Sequence, residues 1–217
     1  MKRHGLSKLE RLSIPRERKK FKEYEIGYYH IDVAEVRSSE GKAYLFVGID
    51  RVSKFVYIEL HSNKKALTSA RFVEHLIQIV PYRIHKILTD NGGEFKYIGK
   101  NVKQSQDNHP FNAVLKKHDI EHRYTKVRHP WTNGQVERFN RSIKEKTVKQ
   151  YFYPSHAKLF EHLQQYVQIH NFATKLKALQ YKSPYEFLIL KLQSKPELFI
   201  NKLSYHSLGL YIFLILI

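Results

Sequence analysis

Short apolar runs in the first hundred residues predict β-strands. The run 28–36 is rich in Ile, Val and Tyr and is bounded by glycine and arginine, a pattern typical of a buried strand. Runs 42–50 and 54–60 mix aromatic and β-branched residues, which predicts a hairpin continuing from the first strand. The run 84–89 ends shortly before a Gly-Gly pair and predicts another strand.

Helical spacing of apolar residues marks other segments. Residues 66–80 place apolar side chains on one helical face and stop before Pro81, which cannot continue a helix. Residues 159–172 show a similar amphipathic spacing. Pro184 is expected to open a short last helix, because proline is favoured at the first helical position. Each of the two longer segments is expected to pack one face against the core.

The charge balance changes the range of partners to consider. Lys and Arg total 38 against 20 Asp and Glu, so the formal net charge is +18 with His neutral. This excess is unlike a typical enzyme of small anionic metabolites, and it favours a polyanionic partner, nucleic acid first of all. The chain has no cysteine. That excludes disulfides and a Cys-containing zinc module, and it is consistent with an intracellular protein.

One carboxylate stands out on an otherwise basic helix. The sequence after an Asn-Gly pair at 133–134 favours helix, so Glu137 is expected in the first or second turn. Glu137, Arg141 and Lys144 then lie on one face, at positions i, i+4 and i+7. Taken alone, this pattern is more often a helix-stabilising surface pair than a functional site.

Two further carboxylates shift that balance. Asp32 lies inside the run 28–36, and Asp90 directly follows the run 84–89. An Asp in a buried strand is costly unless its charge is compensated. Mg²⁺ would compensate it, since this ion takes carboxylate oxygens, water and substrate phosphate as ligands. Carboxylates from two strands and a helix could hold two such ions about 3.5–4 Å apart, an arrangement that serves phosphoryl transfer.

Other potential ligands favour structural roles. Asp50 lies beside a tight turn, where an Asp side chain usually bonds the backbone of the following residues. Glu94 follows a glycine pair that redirects the chain, which favours a loop or helix-entry role. His118 and His122 have the spacing of ligands on a helix. Because Ile120 between them starts a predicted strand, no metal site is expected there.

Three ordered motifs resemble a known family. They are YHIDV at 29–33, LTDNGGEF at 88–95 and PWTNGQVERFN at 130–140. Together they resemble the catalytic core of the DDE transposases and retroviral-type integrases, with the bacterial insertion-sequence transposases of the IS3 and IS481 type as the nearest group. The resemblance covers about residues 24 to 190, and three motifs in order are far more specific than any one of them.

The resemblance implies a fold, a reaction and a site. The fold is α/β and ribonuclease-H-like, with a mixed five-stranded sheet flanked by helices. The reaction is metal-dependent DNA strand cleavage and strand transfer, with two Mg²⁺ ions, or Mn²⁺ in their place. The implied metal ligands and catalytic residues are Asp32, Asp90 and Glu137. The implied DNA-binding residues are Asn133, Gly134 and Gln135 in a mobile loop before the helix, and Arg138, Arg141 and Lys144 on it.

The spacing of the motifs departs from the family in one place. The 46 residues between Asp90 and Glu137 are more than the family usually has there. The extra length falls most naturally in the polar stretch 96–110, which is predicted to be a surface loop, where insertions cost little. No proposed ligand is moved by it.

We expect three regions along the chain. Residues 1–22 form a basic extension with nine Lys or Arg against two acidic residues, residues 23–192 form the catalytic core, and residues 193–217 form a tail. The last ten residues are almost wholly apolar but too few to span a bilayer, and we interpret them as a sign of a disrupted reading frame. The expected location is the bacterial cytoplasm, near the nucleoid.

The sequence leaves the activity open between three alternatives. The first is a transposase core that acts as an oligomer on double-stranded DNA, both element ends and target, with no membrane and no small-molecule substrate. The second is a catalytically inactive or truncated remnant that only binds DNA or a sister transposase. The third is a ribonuclease H, which uses the same metal chemistry; the NGQVER run at 133–138 speaks against it.

Overall fold

A single mixed sheet organises the computed structural model, which describes residues 24–98, 106–125 and 134–200. Its strands are β1 (Tyr28–Ser38), β2 (Gly41–Asp50), β3 (Val56–His61), β4 (Lys86–Thr89) and β5 (Glu121–Tyr124). The helices are α1 (Ala66–Ile79), α2 (Pro110–Lys117), α3 (Gly134–Lys146), α4 (His156–Gln168) and α5 (Pro184–Ser194). The basic extension 1–22, Asn133, part of the stretch 96–110 and the apolar end of the chain lie outside the described residues.

The strand order is β3-β2-β1-β4-β5. Strands β1, β2 and β3 form an antiparallel meander, whereas β4 pairs parallel to β1 and β5 pairs parallel to β4. The predicted mixed five-stranded sheet is therefore confirmed. The hairpin predicted after the first strand is also confirmed, although β3 begins at Val56, two residues later than expected.

Two hydrophobic cores lie on opposite faces of the sheet. On one face, Phe72 and Leu76 of α1 pack with Ile31 of β1, and the core continues to α2 and α5. On the other face, α3 and α4 contribute Ile143 and Leu163, which pack with the alternate side chains of β2. This division follows from the two-residue period of a strand, which sends successive side chains to opposite faces.

The predicted helices form for the reasons read from the sequence. Helix α1 ends at Ile79, just before Pro81, and buries Phe72, Val73 and Leu76. Helix α5 begins with Pro184 at a first-turn position, and a capping box closes its start: the Ser183 hydroxyl accepts from the Glu186 amide while the Glu186 carboxylate accepts from the Ser183 amide. Helix α4 continues into a π-helical turn at Ile169–Ala173. None of the helices in the described ranges is long and apolar enough to cross a membrane.

Candidate active site

Asp32 and Asp90 come together because their strands are neighbours. In the parallel β1–β4 pair, Tyr28 lies opposite Lys86 and His30 lies opposite Leu88. Continuing this register by two residues brings Asp32 opposite Asp90, which directly follows β4. Neighbouring strands lie about 4.8 Å apart, so the two backbones are adjacent at this point.

The chain turns immediately after Asp90. The Asp90 carboxylate accepts a 2.9 Å hydrogen bond from the Gly92 amide, which fixes one of its oxygens beside the turn. An added Cβ at position 92 would lie 2.7 Å from the Glu94 carboxylate, so a larger residue there would displace that side chain. The Asn-Gly-Gly run thus ends β4 and leaves Asp90 at the carboxyl end of the strand.

Helix α3 brings the third predicted carboxylate to the same region. The helix packs on β1 and β2 through Val136 and Ile143, which are fully buried. Glu137 lies in its first turn and is exposed, as the helical spacing predicted. Arg138 and Arg141 are exposed and Lys144 is half-buried. The helix therefore presents one carboxylate and several cations to solvent.

The electrostatics of Asp32 reflect both other carboxylates. Burial is the main cause that raises the pKa of Asp32, and the negative charges of Asp90 and Glu137 raise it further. A hydrogen bond from the Asn140 side chain acts in the opposite direction. Asp32 is thus a partly buried carboxyl group within the field of the other two, which is an environment that favours either a proton or a bound cation.

Asn140 is a residue of this site that the sequence reasoning missed. Its side-chain Nδ2 donates a 2.7 Å hydrogen bond to Asp32 Oδ2. The residue is only 6% exposed, and its Oδ1 is buried without a hydrogen-bond partner among the described atoms. The signal in the sequence is an Asn three residues after Glu137, on the face of the helix that packs on the sheet.

The donor set fits Mg²⁺ in its chemistry. All three predicted ligands offer carboxylate oxygens, which this hard cation prefers. Within the described ranges, no three His, Cys, Asp or Glu side chains lie together as a cage that could hold a metal ion, and this includes Asp32, Asp90 and Glu137. Mg²⁺ does not require such a cage, since it is usually held by one or two carboxylates together with water and substrate phosphate.

The start of α3 corrects the predicted loop. Gly134 and Gln135 belong to the first turn of the helix, not to the loop before it. Gln135 Nε2 donates to the Asp50 carbonyl at 3.1 Å, and Gln135 Oε1 accepts from Lys54 Nζ at 3.2 Å. These bonds tie the helix start to the β2–β3 turn, so the helix begins earlier than the Asn-Gly signal suggested.

The structural role predicted for Asp50 is confirmed. The side chain is fully buried, and its two oxygens accept hydrogen bonds from three backbone amides, those of Gly27 at 2.6 Å, Val52 at 2.7 Å and Ser53 at 2.7 Å. Burial raises the pKa of Asp50, and the amide donors act against that rise. Asp50 therefore holds the β2–β3 turn against the start of β1.

Glu94 and the two histidines also have structural surroundings. Glu94 lies in the turn after Asp90, and its carboxylate is 3.5 Å from Lys64 Nζ. His118 caps the end of α2, whereas His122 lies in β5, so the helix that their spacing would need is absent from this described segment. His122 Nε2 lies 2.9 Å from Thr89 Oγ1, and burial lowers the His122 pKa to about 3.

Two family comparisons match most of the described chain. Residues 24–130 match the integrase core domain, and residues 118–184 match a second description of the integrase core domain. The provisionally assigned integrase ORF3 of Spiroplasma virus SpV1-C74 is 27% identical over 184 residues, which is 81% of this chain and 51% of that protein. The chain thus spans about half the length of this curated relative.

Solved retroviral integrases share the fold. The catalytic core domain of bovine immunodeficiency virus (BIV) integrase aligns with a TM-score of 0.58 at 18% identity, covering 78% of this chain and 98% of that one. The HTLV-2 integrase catalytic core domain, solved with magnesium in a trimeric form, aligns at 0.55 and 19% identity, over 74% and 94%. A chain of the simian T-cell lymphotropic virus intasome with the PP2A subunit B56 gamma aligns at 0.58 and 19% identity, over 74% and 53%.

These matches confirm the predicted family and the predicted ribonuclease-H-like fold, whereas a special closeness to the insertion-sequence group stays a prediction. The chain belongs to the integrase core family and has the catalytic-core fold of the DDE integrases and transposases.

Proposed function

We propose that this chain is the catalytic core of a DDE-type transposase or integrase that cuts and joins DNA strands. In this proposal Asp32, Asp90 and Glu137 are the ligands of two Mg²⁺ ions, which Mn²⁺ can replace. The observation that supports it is the position of Asp32 in β1, beside the end of the parallel strand β4 that Asp90 directly follows, and within the field of the Asp90 and Glu137 charges. A like-charge cluster of this kind is stable when a cation neutralises it.

The three proposed metal ligands differ in how firmly the fold holds them. Bound Mg²⁺ supplies the activation of a water or a 3′ hydroxyl and the neutralisation of the phosphate charge. Asp32 would bind from β1, and Asp90 from the turn directly after β4, where the Gly92 amide holds one of its oxygens. Glu137 binds from the exposed first turn of α3. Asn140 holds one Asp32 oxygen by its hydrogen bond and so orients the other.

DNA is the proposed partner, as element ends and as target. Arg138, Arg141 and Lys144 lie on the helix that carries Glu137 and would bind backbone phosphates next to the reacting one. Contacts of this kind are independent of sequence and weaken steeply with salt. Two ends must be joined together, so we also propose a homo-oligomer, and the trimeric form of the HTLV-2 core supports it. The proposed location is the bacterial cytoplasm, near the nucleoid.

The test is strand transfer on a labelled duplex that carries the DNA flanking the reading frame. The chain should join this duplex to target DNA in Mg²⁺, and Glu137→Gln should abolish joining while retaining the fold. Glu145→Gln is the matched control, because Glu145 is an exposed glutamate on the same helix. Equal loss of joining in both variants would contradict the assignment of Glu137.

The same experiment separates the two alternatives. An inactive or truncated remnant would bind the duplex but join nothing in either Mg²⁺ or Mn²⁺. A ribonuclease H would cut the RNA strand of an RNA–DNA hybrid in preference to the DNA duplex. The three outcomes differ in product, so gel analysis of both substrates distinguishes them.

A further inference from the structure

A cluster of aromatic and cationic side chains lies on the same sheet face as Asp32. Tyr28, His30 and Asp32 occupy alternate positions of β1, so their side chains leave the sheet on one side. Arg51, in the β2–β3 turn, lies against the start of this row, and Tyr24 lies beside it. We refer to Tyr24, Tyr28, His30 and Arg51 as the Arg51 cluster.

The guanidinium of Arg51 is held in place by two rings. Its Cζ lies 4.6 Å from the centroid of the Tyr24 ring and 5.5 Å from that of Tyr28. The backbone amide of Arg51 donates to the Tyr28 carbonyl at 2.7 Å, which fixes the root of the side chain. Arginine stacked on aromatic faces keeps its N–H groups free to bind an anion in the ring plane.

Two neighbouring cations, Lys86 of β4 and Arg123 of β5, are already paired. Lys86 Nζ lies 2.8 Å from the Glu121 carboxylate, and Arg123 Nε binds the same carboxylate at 2.5 Å. Within the described part of the chain, Arg51 makes no such ion pair, and its polar side-chain neighbour is His30. The cluster therefore carries a positive charge that no acidic side chain of the described residues neutralises.

His30 gives a second, independent sign of an unmet partner. Its Nε2 lies 3.4 Å from Arg51 Nη1. Because arginine has donors only, Nε2 must accept, and the neutral ring carries its proton on Nδ1. His30 is 1% exposed, and this Nδ1 is buried without a hydrogen-bond partner among the described atoms. A buried donor of this kind is rare without a functional reason.

We propose that the Arg51 cluster is a phosphate-binding subsite for the DNA strand that enters the candidate active site. The inference rests on the proposed function. Four residues of strand separate Tyr28 from Asp32, a distance of about 13 Å. Phosphates follow one another along a duplex strand at about 3.4 Å of axial rise. Arg51 therefore binds a phosphate a few nucleotides from the reacting one.

The position of the cluster favours DNA over an acidic peptide. The cluster shares a sheet face with the candidate catalytic carboxylates. Their negative charges would repel a peptide of Asp and Glu. A DNA strand would instead bind together with the metal ions that neutralise these charges. The phosphate of a strand already held at Asp32 arrives at Arg51 without further ordering of the protein. Arg51 is thus a positioning residue, which acts through the register of the strand and not on the reacting atoms.

Salt dependence of binding provides the first test. The affinity of the full chain for a fluorescent 30-base-pair duplex is measured with Ca²⁺ in place of Mg²⁺ across a salt series, for Arg51→Gln and for Arg71→Gln. Arg71 is exposed on α1, on the opposite side of the sheet, and carries the same charge. Arg51→Gln should weaken binding about 5- to 10-fold. It should also reduce the slope of log affinity against log salt concentration by the amount that corresponds to about one phosphate contact, whereas Arg71→Gln should change neither quantity. Arg51→Lys should restore most of the slope.

A substituted substrate provides the second test and locates the contact. A neutral methylphosphonate replaces single phosphates along the strand, counted from the joined end. At one or two positions near the joined end this change should slow strand transfer by the unmodified chain and cause no further loss in Arg51→Gln. Additive losses at those positions, or an unchanged salt slope in Arg51→Gln, would overturn the subsite. Absence of joining by the unmodified chain counts instead against the proposed function, so the two failures are distinguishable.

Discussion

The Asn140 amide is bonded to the Asp32 carboxylate across the interface between α3 and β1, with 2.7 Å between Nδ2 and Oδ2. This bond joins two elements that each carry one of the proposed metal ligands, since Glu137 lies one turn before Asn140. The orientation of Asp32 and the seating of the helix are therefore coupled. Loss of the amide affects the site without removing a ligand.

Asn140→Ala should raise the pKa of Asp32 further, because the hydrogen bond that lowers it is lost. Mg²⁺ would then compete with a proton over a wider pH range. We expect strand transfer to fall by about 10-fold at the acidic end of the pH profile, where the proton competes, and to recover at higher pH and higher Mg²⁺ concentration. Rates across a grid of pH and Mg²⁺ concentration measure both effects.

Ser142→Ala is the matched control for Asn140→Ala. Ser142 lies on the same helix and bonds the Tyr166 hydroxyl at 2.9 Å, away from Asp32. It should lose a comparable hydrogen bond while keeping the Mg²⁺ requirement of the unmodified chain. A shift in that requirement for both variants would indicate loosening of the helix, not the loss of one bond.

Asn171 replaces a missing strand partner at the sheet edge. Its Oδ1 accepts from the Val56 amide at 2.9 Å and its Nδ2 donates to the Val56 carbonyl at 2.8 Å. Both partners are buried at the start of β3, so Asn171→Ala should lower the free energy of unfolding by about 2–5 kcal/mol. Urea unfolding measures this, with Gln165→Ala on the exposed side of α4 as the control. A cost below 1 kcal/mol would mean that water replaces the amide.

Asp50→Ala should be among the most destabilising single substitutions that leave the proposed metal ligands intact. It leaves three backbone amides without an acceptor beside a fully buried position, a loss of about 3–5 kcal/mol. Asp119→Asn, which removes an exposed charge paired with Arg83 and suits the left-handed backbone at this position, should cost less than about 1 kcal/mol. Thermal unfolding compares the two, and a similar shift for both would contradict the role given to Asp50.

His122 should make the fold sensitive to acid. Burial lowers its pKa from 6.5 to about 3 in the folded chain, so between these values the unfolded state binds the proton and the folded state does not. Stability from this residue is full above pH 6.5 and is lost as the pH falls, by up to about 2 kcal/mol at pH 5. His122→Gln should flatten this part of the stability profile. Parallel profiles for the two proteins would show that His122 does not titrate as described.

Periodicity accounts for most of the fold, because it reports which side chains are buried. The run 28–36 and the spacing of Phe72, Val73 and Leu76 give β1 and α1 nearly to the residue. The pairing of β4 beside β1 is not encoded in either strand alone. It follows here from the family resemblance, and in the structure from two parallel ladders.

The sequence does not predict the partners of polar residues on buried faces. Asn140 and Asn171 are both buried, and each matters through a partner more than a hundred residues away. Helical spacing places Asn140 near the sheet but cannot say which atom it meets. The sequence predicts a loop at Gly134 and Gln135 for a related reason. The hydrogen bonds of Gln135 that extend the helix reach the β2–β3 turn, and no local pattern reveals these long-range bonds.

The parallel pairing of β1 with β4 separates two kinds of change that the chain can undergo. Insertions in the connections between Asp32 and Asp90, or after Asp90, lengthen those connections but leave both residues at the same end of the β1–β4 pair. A slip of β4 by a single residue would instead turn Asp90 to the far side of the sheet. The lengths of the segments between the motifs can therefore vary freely during evolution, whereas the register of β1 against β4 can hardly change.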